Sequence, residues 1–275
     1  MAGEQSAVYV ITGGAGGMGI ACARRLGRRG RVLLSDVAER RLAEVAAELS
    51  ASGIQVETRV ADVADPAAVR ALAEAAAGLG PLAALVHTAG LSPTMASWRR
   101  VMEVDLVGTA LLIEAFRPLA RPGSVAVCIS SIAGHLQPPA PPELMEALDA
   151  PLAEGFLERI APHFEGRPDA PSLAYGWAKQ AVIRLVEREA AAWGRQGARI
   201  VSLSPGIIRT PMAEQEFKVQ PQMAQMVRLT PLARIGEPDE IASAVEFLVG
   251  EGASYITGCD LRVDGGTTAA MRHLS

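Results

Sequence analysis

This 275-residue chain is short of several residue types at once. It has three cysteines, four histidines and only 4% aromatic side chains, and just two of its 26 basic residues are lysines. An odd, widely spaced set of cysteines (Cys22, Cys128 and Cys259) excludes a disulfide framework and reads as reduced, buried thiols. His87, His135, His163 and His273 show no ligand-like spacing, so no metal site is expected. With 26 basic against 30 acidic residues and a net charge of -4, there is no basic footprint for nucleic acid and no polybasic membrane anchor. The uncharged stretch 6–23 is interrupted by five glycines and preceded by Glu4, which argues against a signal peptide or a membrane span. A soluble, cytoplasmic protein is expected. What remains is 49% apolar and 20% charged, the ordinary globular range, and length for one or two domains.

Apolar β-rich runs alternate with helical patterns along the whole chain. Segments 7–12, 31–36, 55–61, 82–89, 124–130, 199–204 and 260–263 read as strands, and 20–29, 40–52, 66–79 and 98–119 as amphipathic helices between them. Continuous Val/Ile/Leu runs suit strands covered on both faces. Alternation of strand and helix predicts right-handed crossovers, hence an α/β fold with a doubly wound, roughly seven-stranded parallel sheet in a single domain. No linker or tandem repeat interrupts it. One segment breaks the rhythm: 135–172 carries eight prolines. A structureless loop of that length is uncommon inside a domain, so it reads as an inserted flap with two short helices, 143–150 and 152–164.

The first strand ends in Thr12-Gly13-Gly14-Ala15-Gly16-Gly17-Met18-Gly19 and runs into a helix. Glycines permit a tight turn and let backbone amides approach a pyrophosphate at the positive end of that helix. Asp36 closes the second strand 19 positions beyond Gly17, where a carboxylate accepts both hydroxyls of an adenosine ribose and repels a 2′-phosphate. That favours NAD over NADP; the counter-reading takes Arg40 and Arg41 as phosphate binders. Asp62-Val63, just past the third strand, either flanks the adenine or caps the helix that starts at Pro66.

Tyr175 and Lys179 stand four residues apart near the start of a helical pattern running from 175 to 193, so phenol and ammonium share one face. With three tyrosines and two lysines in the chain, chance supplies such a step only about 0.02 times. A phenol with a pKa near 10 is a poor base at neutral pH. Bringing it there takes roughly 4 kcal/mol, which a cation about 4 Å away supplies at an effective dielectric of about 20. Such a phenol can take a proton from an alcohol or return it to a carbonyl. Ser130-Ser131 ends the fifth strand at the carboxyl edge of the sheet, where ligands of such folds bind. The pair either orients a reacting oxygen or merely closes a turn.

Together these residues resemble the short-chain dehydrogenase/reductase family over nearly the full length. The likeness rests on Thr12-Gly13-x-x-x-Gly17-x-Gly19, Asp36, Asp62, Ala89-Gly90, Ile129-Ser130-Ser131, Tyr175-x-x-x-Lys179, Pro205-Gly206 with Thr210, and Val263-Asp264-Gly265-Gly266. It implies Ser131 as the substrate-orienting hydroxyl, Tyr175 as acid/base, and Lys179 as its pKa modifier and a ribose contact. It also implies a cofactor site built from Gly13, Gly16, Gly17, Met18, Gly19, Asp36, Asp62, Val63, Ala89, Gly90, Tyr175, Lys179, Pro205, Gly206, Ile208 and Thr210.

Three departures qualify the likeness. The family's Asn-Asn-Ala-Gly is His87-Thr88-Ala89-Gly90 here, so the brace near the cofactor must differ. The family's helix asparagine, part of a proton relay, aligns with Asp105. If the relay uses the backbone carbonyl, aspartate preserves it; if it uses the side chain, the pH–rate profile shifts. Thirdly, Ser131 and Tyr175 lie 44 positions apart, much farther than the family usually sets them. The insertion is similar to that of the 3α-hydroxysteroid dehydrogenase/carbonyl reductase branch, which implies a steroid or bulky ketone substrate. The family places a substrate lid at 211–231; its Met212, Phe217, Met223 and Met226 either line an apolar pocket or cover the lid's own core, with Thr230 closing the segment.

The expected activity is NAD(H)-dependent interconversion of a hydrophobic secondary alcohol and its ketone. The competing readings are a non-catalytic NAD-binding regulator or scaffold, disfavoured by an intact Ser131, Tyr175 and Lys179, and a lyase or epimerase, which lacks its usual C-terminal substrate domain here. The resemblance further implies a homodimer or homotetramer, through the final strand with helix 238–250, or through helices 98–119 and 175–193.

Overall fold

In Val8–Thr12 every side chain is buried, which requires hydrogen-bonded neighbours on both edges and packed layers on both faces. The computed structural model, which describes residues 6–219 and 222–273, supplies both. Seven strands, β1 (Val8–Thr12), β2 (Arg31–Asp36), β3 (Val56–Val60), β4 (Leu82–His87), β5 (Val125–Ile129), β6 (Arg199–Pro205) and β7 (Asp260–Val263), form one sheet in the order β3-β2-β1-β4-β5-β6-β7. Every neighbouring pair is parallel. This is the doubly wound Rossmann arrangement, and the order reverses between β1 and β4.

Side chains alternate along each strand, and the two faces gather two cores. Val8, Val10, Leu85 and Ala126 face helices Pro66–Leu79, 98–116 and Ala170–Gly194. Tyr9, Ile11, Val86 and Val127 face helices Gly17–Leu26, Glu39–Ala51 and Pro238–Val249. The expected strands all form. β3 departs from full cover: its residues from Glu57 to Val60 are exposed. It is an edge strand, and charged side chains on such an edge discourage pairing with other chains. Cys22 and Cys128 are buried, and burial pushes both thiols up to about 12. Cys259 is exposed, contrary to expectation, because it lies on the connection into the opposite edge strand.

Helix starts shift with local chemistry. The first helix begins at Gly17 rather than at position 20, and the long one at Ala170, five residues before Tyr175, with Pro171 in its first turn. The inserted flap is ordered. It holds helices Pro142–Leu148 and Phe156–Ile160 and a 3₁₀ turn Ala161–His163. Its second helix starts four residues later than the pattern suggested, because the chain turns through Gly155 at φ +69°. Leu144, Phe156 and Phe164 join the first core. Phe164 stacks on Trp98 (centroids 4.8 Å apart) and meets Trp177 edge-on (5.6 Å). Asp149 pairs with both Arg184 and Arg188 of the long helix. Partial burial works against the Asp149 charge, yet the two guanidinium groups hold its carboxyl below the usual range.

Replacing Phe164 by alanine removes this clasp. The expected loss is about 3–4 kcal/mol of unfolding free energy, with faster proteolysis within 138–168. A loss below about 1 kcal/mol in urea titration would mean that the flap is not tied to the core through this ring.

Candidate active site

Because all strands run in parallel, the carboxyl ends of β1, β4, β5 and β6 lie along one edge of the sheet. At β1 the chain turns through Gly13 at φ +67°. A Cβ at Gly13 would lie 2.6 Å from the Ala89 nitrogen, and one at Gly19 2.2 Å from the Gly13 carbonyl oxygen. Only glycine lets this loop press so closely on the end of β4. Asp36 is held against the loop: Ala15 N–H donates to its Oδ2 (3.0 Å) and Ala38 N–H to its Oδ1 (3.0 Å). The glycine cradle, the amino end of helix Gly17–Leu26 and this carboxylate fit a dinucleotide with its pyrophosphate on the amides and its ribose at Asp36. Thr210 lies against Gly17, whose Cβ would come 3.1 Å from the threonine methyl.

Asp62 does not cap the helix at Pro66. Its Oδ1 accepts from Ala64 N–H (2.9 Å), and its Oδ2 pairs with Arg100. The helix at Pro66 is capped instead by Asp65, whose Oδ1 accepts from Ala67 N–H (2.8 Å). Val63 is buried in the first core, where its side chain abuts Gly108.

The catalytic candidates converge from the end of β5, the helix 98–116 and the long helix. Ser131 caps the short helix Ile132–Leu136, its Oγ accepting from Ala133 N–H (3.1 Å). That helix packs directly on the long one: a Cβ at Gly134 would meet the Lys179 backbone at 2.8 Å. Close packing at Gly134 brings Ser131 beside Tyr175 despite their distance in sequence. Ser130 has a different task, its hydroxyl donating to the Lys179 carbonyl (2.8 Å) and locking β5 to the helix.

Lys179 is buried, its Nζ 5.6 Å from the Tyr175 ring centre, 3.4 Å from Asp105 Oδ1, and donating to the Ile129 carbonyl (3.4 Å). Burial alone would discharge this ammonium, but Asp105 and Tyr175 outweigh that and raise its pKa. Asp105 is fully buried, and Leu91 N–H donates to its Oδ1 (3.0 Å). Burial raises its carboxyl, with Lys179 pulling the other way. Gly90 makes room for this pair, since a Cβ there would lie 2.7 Å from Asp105 Oδ1 and 3.3 Å from Lys179 Nζ. The side chain of Asp105, then, is the part that reaches the lysine; its carbonyl is taken by the Thr109 hydroxyl (2.7 Å). Asp105 sits in a π-helical turn, Glu103–Val107, a local widening that the sequence pattern did not disclose.

His87 provides the altered brace. Its Nδ1 lies 2.7 Å from Thr12 Oγ1 and its Nε2 2.9 Å from Thr109 Oγ1. Thr109 spends its proton on the Asp105 carbonyl, so Nε2–H must donate to Thr109 and Nδ1 must accept from Thr12. Burial, helped by the Lys179 charge, lowers the His87 pKa to about 3, which keeps the ring neutral and this polarity fixed.

The protein's own groups pull on the Tyr175 phenol in both directions, with Lys179 acting in the expected, lowering sense. Burial raises the Tyr175 pKa above its ordinary value; Lys179 and Ser131 lower it, but Asp105 and Glu216 add to the rise. The protein therefore holds Tyr175 protonated, ready to give a proton.

Tyr175 and Ser131 open into a cavity of about 360 Å³, which also touches Met18, Pro205, Gly206, Ile208 and Thr210. Over it lie helices Pro211–Val219 and Gln222–Leu229. Met212, Met223 and Met226 line the cavity; Phe217 does not. Thr230 instead ties the segment to Thr267 (2.8 Å). Positions 220 and 221 of the expected lid lie outside the described residues. Several lining residues had gone unnoticed in the sequence, Glu216 among them. Its only signal was an acid one helical turn beyond Met212.

Residues 7–142 match the family model for short chain dehydrogenase, and 165–268 that for Enoyl-(Acyl carrier protein) reductase. The 3-alpha-hydroxysteroid dehydrogenase/carbonyl reductase of Comamonas testosteroni is 34% identical, covering 96% of this chain and 98% of that one. The chain belongs to the short-chain dehydrogenase/reductase family. The cis-4-hydroxycyclohexanecarboxylate dehydrogenase of Sinomonas cyclohexanicum is likewise 34% identical, over 95% of this chain and 96% of its own. Among solved structures, that of levodione reductase superposes with a TM-score of 0.76 at 28% identity, covering 96% of this chain and 98% of that one. This short-chain dehydrogenase/reductase is thus an oxidoreductase with a nicotinamide cofactor, acting on small-molecule alcohols or ketones. Among the described residues, no helix is long and apolar enough to cross a membrane.

Asp105 bears directly on pH dependence. Its charge raises the Tyr175 pKa, but it also sustains the Lys179 ammonium, whose lowering of the phenol is the larger influence. Alcohol oxidation, which needs the phenolate, rises with pH through the phenol's titration; in Asp105→Asn, where Lys179 loses its countercharge, that rise should move to higher pH. An unshifted profile in the two proteins would show that the aspartate charge does not reach the phenol.

Proposed function

We propose that this enzyme interconverts a hydrophobic secondary alcohol and its ketone, of steroid-like or other bulky carbonyl type, with NAD(H) as its cofactor. One observation carries the reading: a single cavity joins the Ser131 and Tyr175 hydroxyls to the methionine-lined underside of the lid. The relative from Comamonas testosteroni, named for hydroxysteroids and carbonyl reduction, supports that substrate class; the one from Sinomonas cyclohexanicum is named for a cyclic alcohol that also bears a carboxylate. In ketone reduction, the substrate carbonyl oxygen takes a hydrogen bond from Ser131 and a proton from Tyr175. Ser131 is suited to this because Ala133 N–H fixes its oxygen and its hydroxyl lies beside the Tyr175 phenol, which it favours in the ionised form. Lys179 compensates the phenolate left behind, and Asp105 holds the lysine charged and in place. When bound, the reduced nicotinamide supplies the hydride that completes the alcohol.

The cofactor preference rests on Asp36 together with the state of the nearest cations. Arg40 and Arg41 lie on the helix after Asp36, where both pair with Glu44 at the solvent-exposed surface. Gly13, Gly16, Gly17 and Gly19 supply the pyrophosphate cradle, Ala89 and Gly90 the floor beneath it, and Pro205, Gly206, Ile208 and Thr210 the nicotinamide end. Met18 borders both that end and the cavity. Asp62 and Val63 remain assigned to the adenine side through their turn.

The test follows absorbance at 340 nm with a panel of cyclic ketones. Reduction with NADH should exceed that with NADPH by about a hundredfold in kcat/KM. Tyr175→Phe should lose at least about a thousandfold. Comparable turnover in the Tyr175→Phe protein would remove the mechanism.

Self-association is proposed through the β7 edge. Beside it Phe247 is 50% exposed and Tyr255 fully so. The alternative face, on helices 98–116 and Ala170–Gly194, is partly covered by the flap, where Pro151 and Leu152 lie near Ile113 and Leu185. Sedimentation should show a dimer or tetramer that Phe247→Lys with Tyr255→Lys dissociates; an oligomer indifferent to both changes would place the contact elsewhere.

A further inference from the structure

The cavity over Tyr175 has methionine, isoleucine, leucine, proline and alanine on most of its wall, yet it contains one acid. Among the described residues that line it, Glu216 is the one formally charged side chain, and no lysine or arginine lines it. Glu216 projects from the helix Pro211–Val219 and is half-buried. Ser92 lies near enough to lower the pKa of its carboxyl, against the rise that burial causes. Ser92 is itself buried, and its oxygen lies 2.9 Å from Thr94 Oγ1. The Glu216 carboxyl faces a mainly apolar space.

We infer that Glu216 is a specificity-determining residue: it accepts a hydrogen bond from a hydroxyl or ammonium group on the substrate, remote from the reacting carbon, and rejects substrates carrying an anion there. The inference deepens the alcohol/ketone reading of this cavity and rests on it. A purely hydrocarbon substrate would leave a half-buried acid facing methionines without compensation, which is costly. A substrate with a donor at its far end relieves that cost, while a carboxylate would place two like charges in one poorly solvated space. Electrostatic reach across the cavity supports the geometry. Glu216 is close enough to raise the Tyr175 pKa, and its own carboxyl is raised by burial and lowered by Ser92. The site therefore reads both ends of its ligand: the carbonyl oxygen at Ser131 and Tyr175, and the distal donor at Glu216.

The experiment uses three cyclic ketones alike except at the ring position farthest from the carbonyl, which bears a hydroxymethyl, an aminomethyl or a carboxylate group. Values of kcat/KM are measured for the wild-type protein, Glu216→Gln and Glu216→Lys. The quantity read is the ratio between two ketones within one protein, which cancels any loss of folded or active enzyme. In the wild type, the ammonium and hydroxyl ketones should exceed the carboxylate ketone by about tenfold or more. Glu216→Gln should reduce the ammonium-to-carboxylate ratio by about tenfold, and Glu216→Lys should invert it. A wild-type ratio near one, or a ratio unchanged in Glu216→Gln, overturns the assignment while leaving the alcohol/ketone reading intact. No turnover of any of the three by the wild type, with either NADH or NADPH, overturns both.

Discussion

A charged lysine cannot be kept in a protein interior without a partner, and much of the architecture at the sheet's carboxyl edge is explained by that constraint. Lys179 is buried under the end of β5, and Asp105 is the countercharge that makes this possible. Room for the pair comes from the missing side chain at Gly90. Leu91 N–H steadies the carboxylate, and the Ile129 carbonyl steadies the ammonium. The π-helical turn at Glu103–Val107 is where the helix departs from regular winding around this aspartate. Removing either partner would strand the other in a medium that penalises lone charge, so the two residues form one functional unit.

That unit sets the character of the phenol above it. An ammonium favours phenolate, but a carboxylate behind the ammonium cancels part of its field, and burial of the tyrosine does the rest. The result is a proton donor held in readiness. His87 fits the same logic. An imidazole that cannot charge above about pH 3 adds no second cation next to Lys179, while its two nitrogens tie β1 to the helix that carries Asp105.

The parts of this account that were legible in the sequence are those encoded by short-range periodicity. Strand and helix alternation disclosed the sheet, and the glycine turn, Asp36 and the Tyr175–Lys179 step disclosed one edge of it. What could not be read was decided by meetings across the fold. Asp62 and Asp65 are both plausible caps by spacing, and Arg100, far along the chain, takes Asp62 for itself. Glu216 drew no notice in the sequence, because only the folded lid places it on the cavity wall. The net direction of the Tyr175 pKa depends on how deeply the ring is buried, which no spacing reveals. Cys259 looked buried by composition and is exposed because its strand lies at an edge.

The aromatic seam between the flap and the body has one more consequence. Of the three tryptophans in the chain, Trp98 and Trp177 lie on either side of Phe164, and Trp177 donates its indole N–H to the Pro138 carbonyl. Trp193 is sealed in the core. Intrinsic fluorescence of this protein is therefore weighted toward one place, and a red shift with increased quenching by acrylamide reports unseating of the insertion before the sheet itself has loosened.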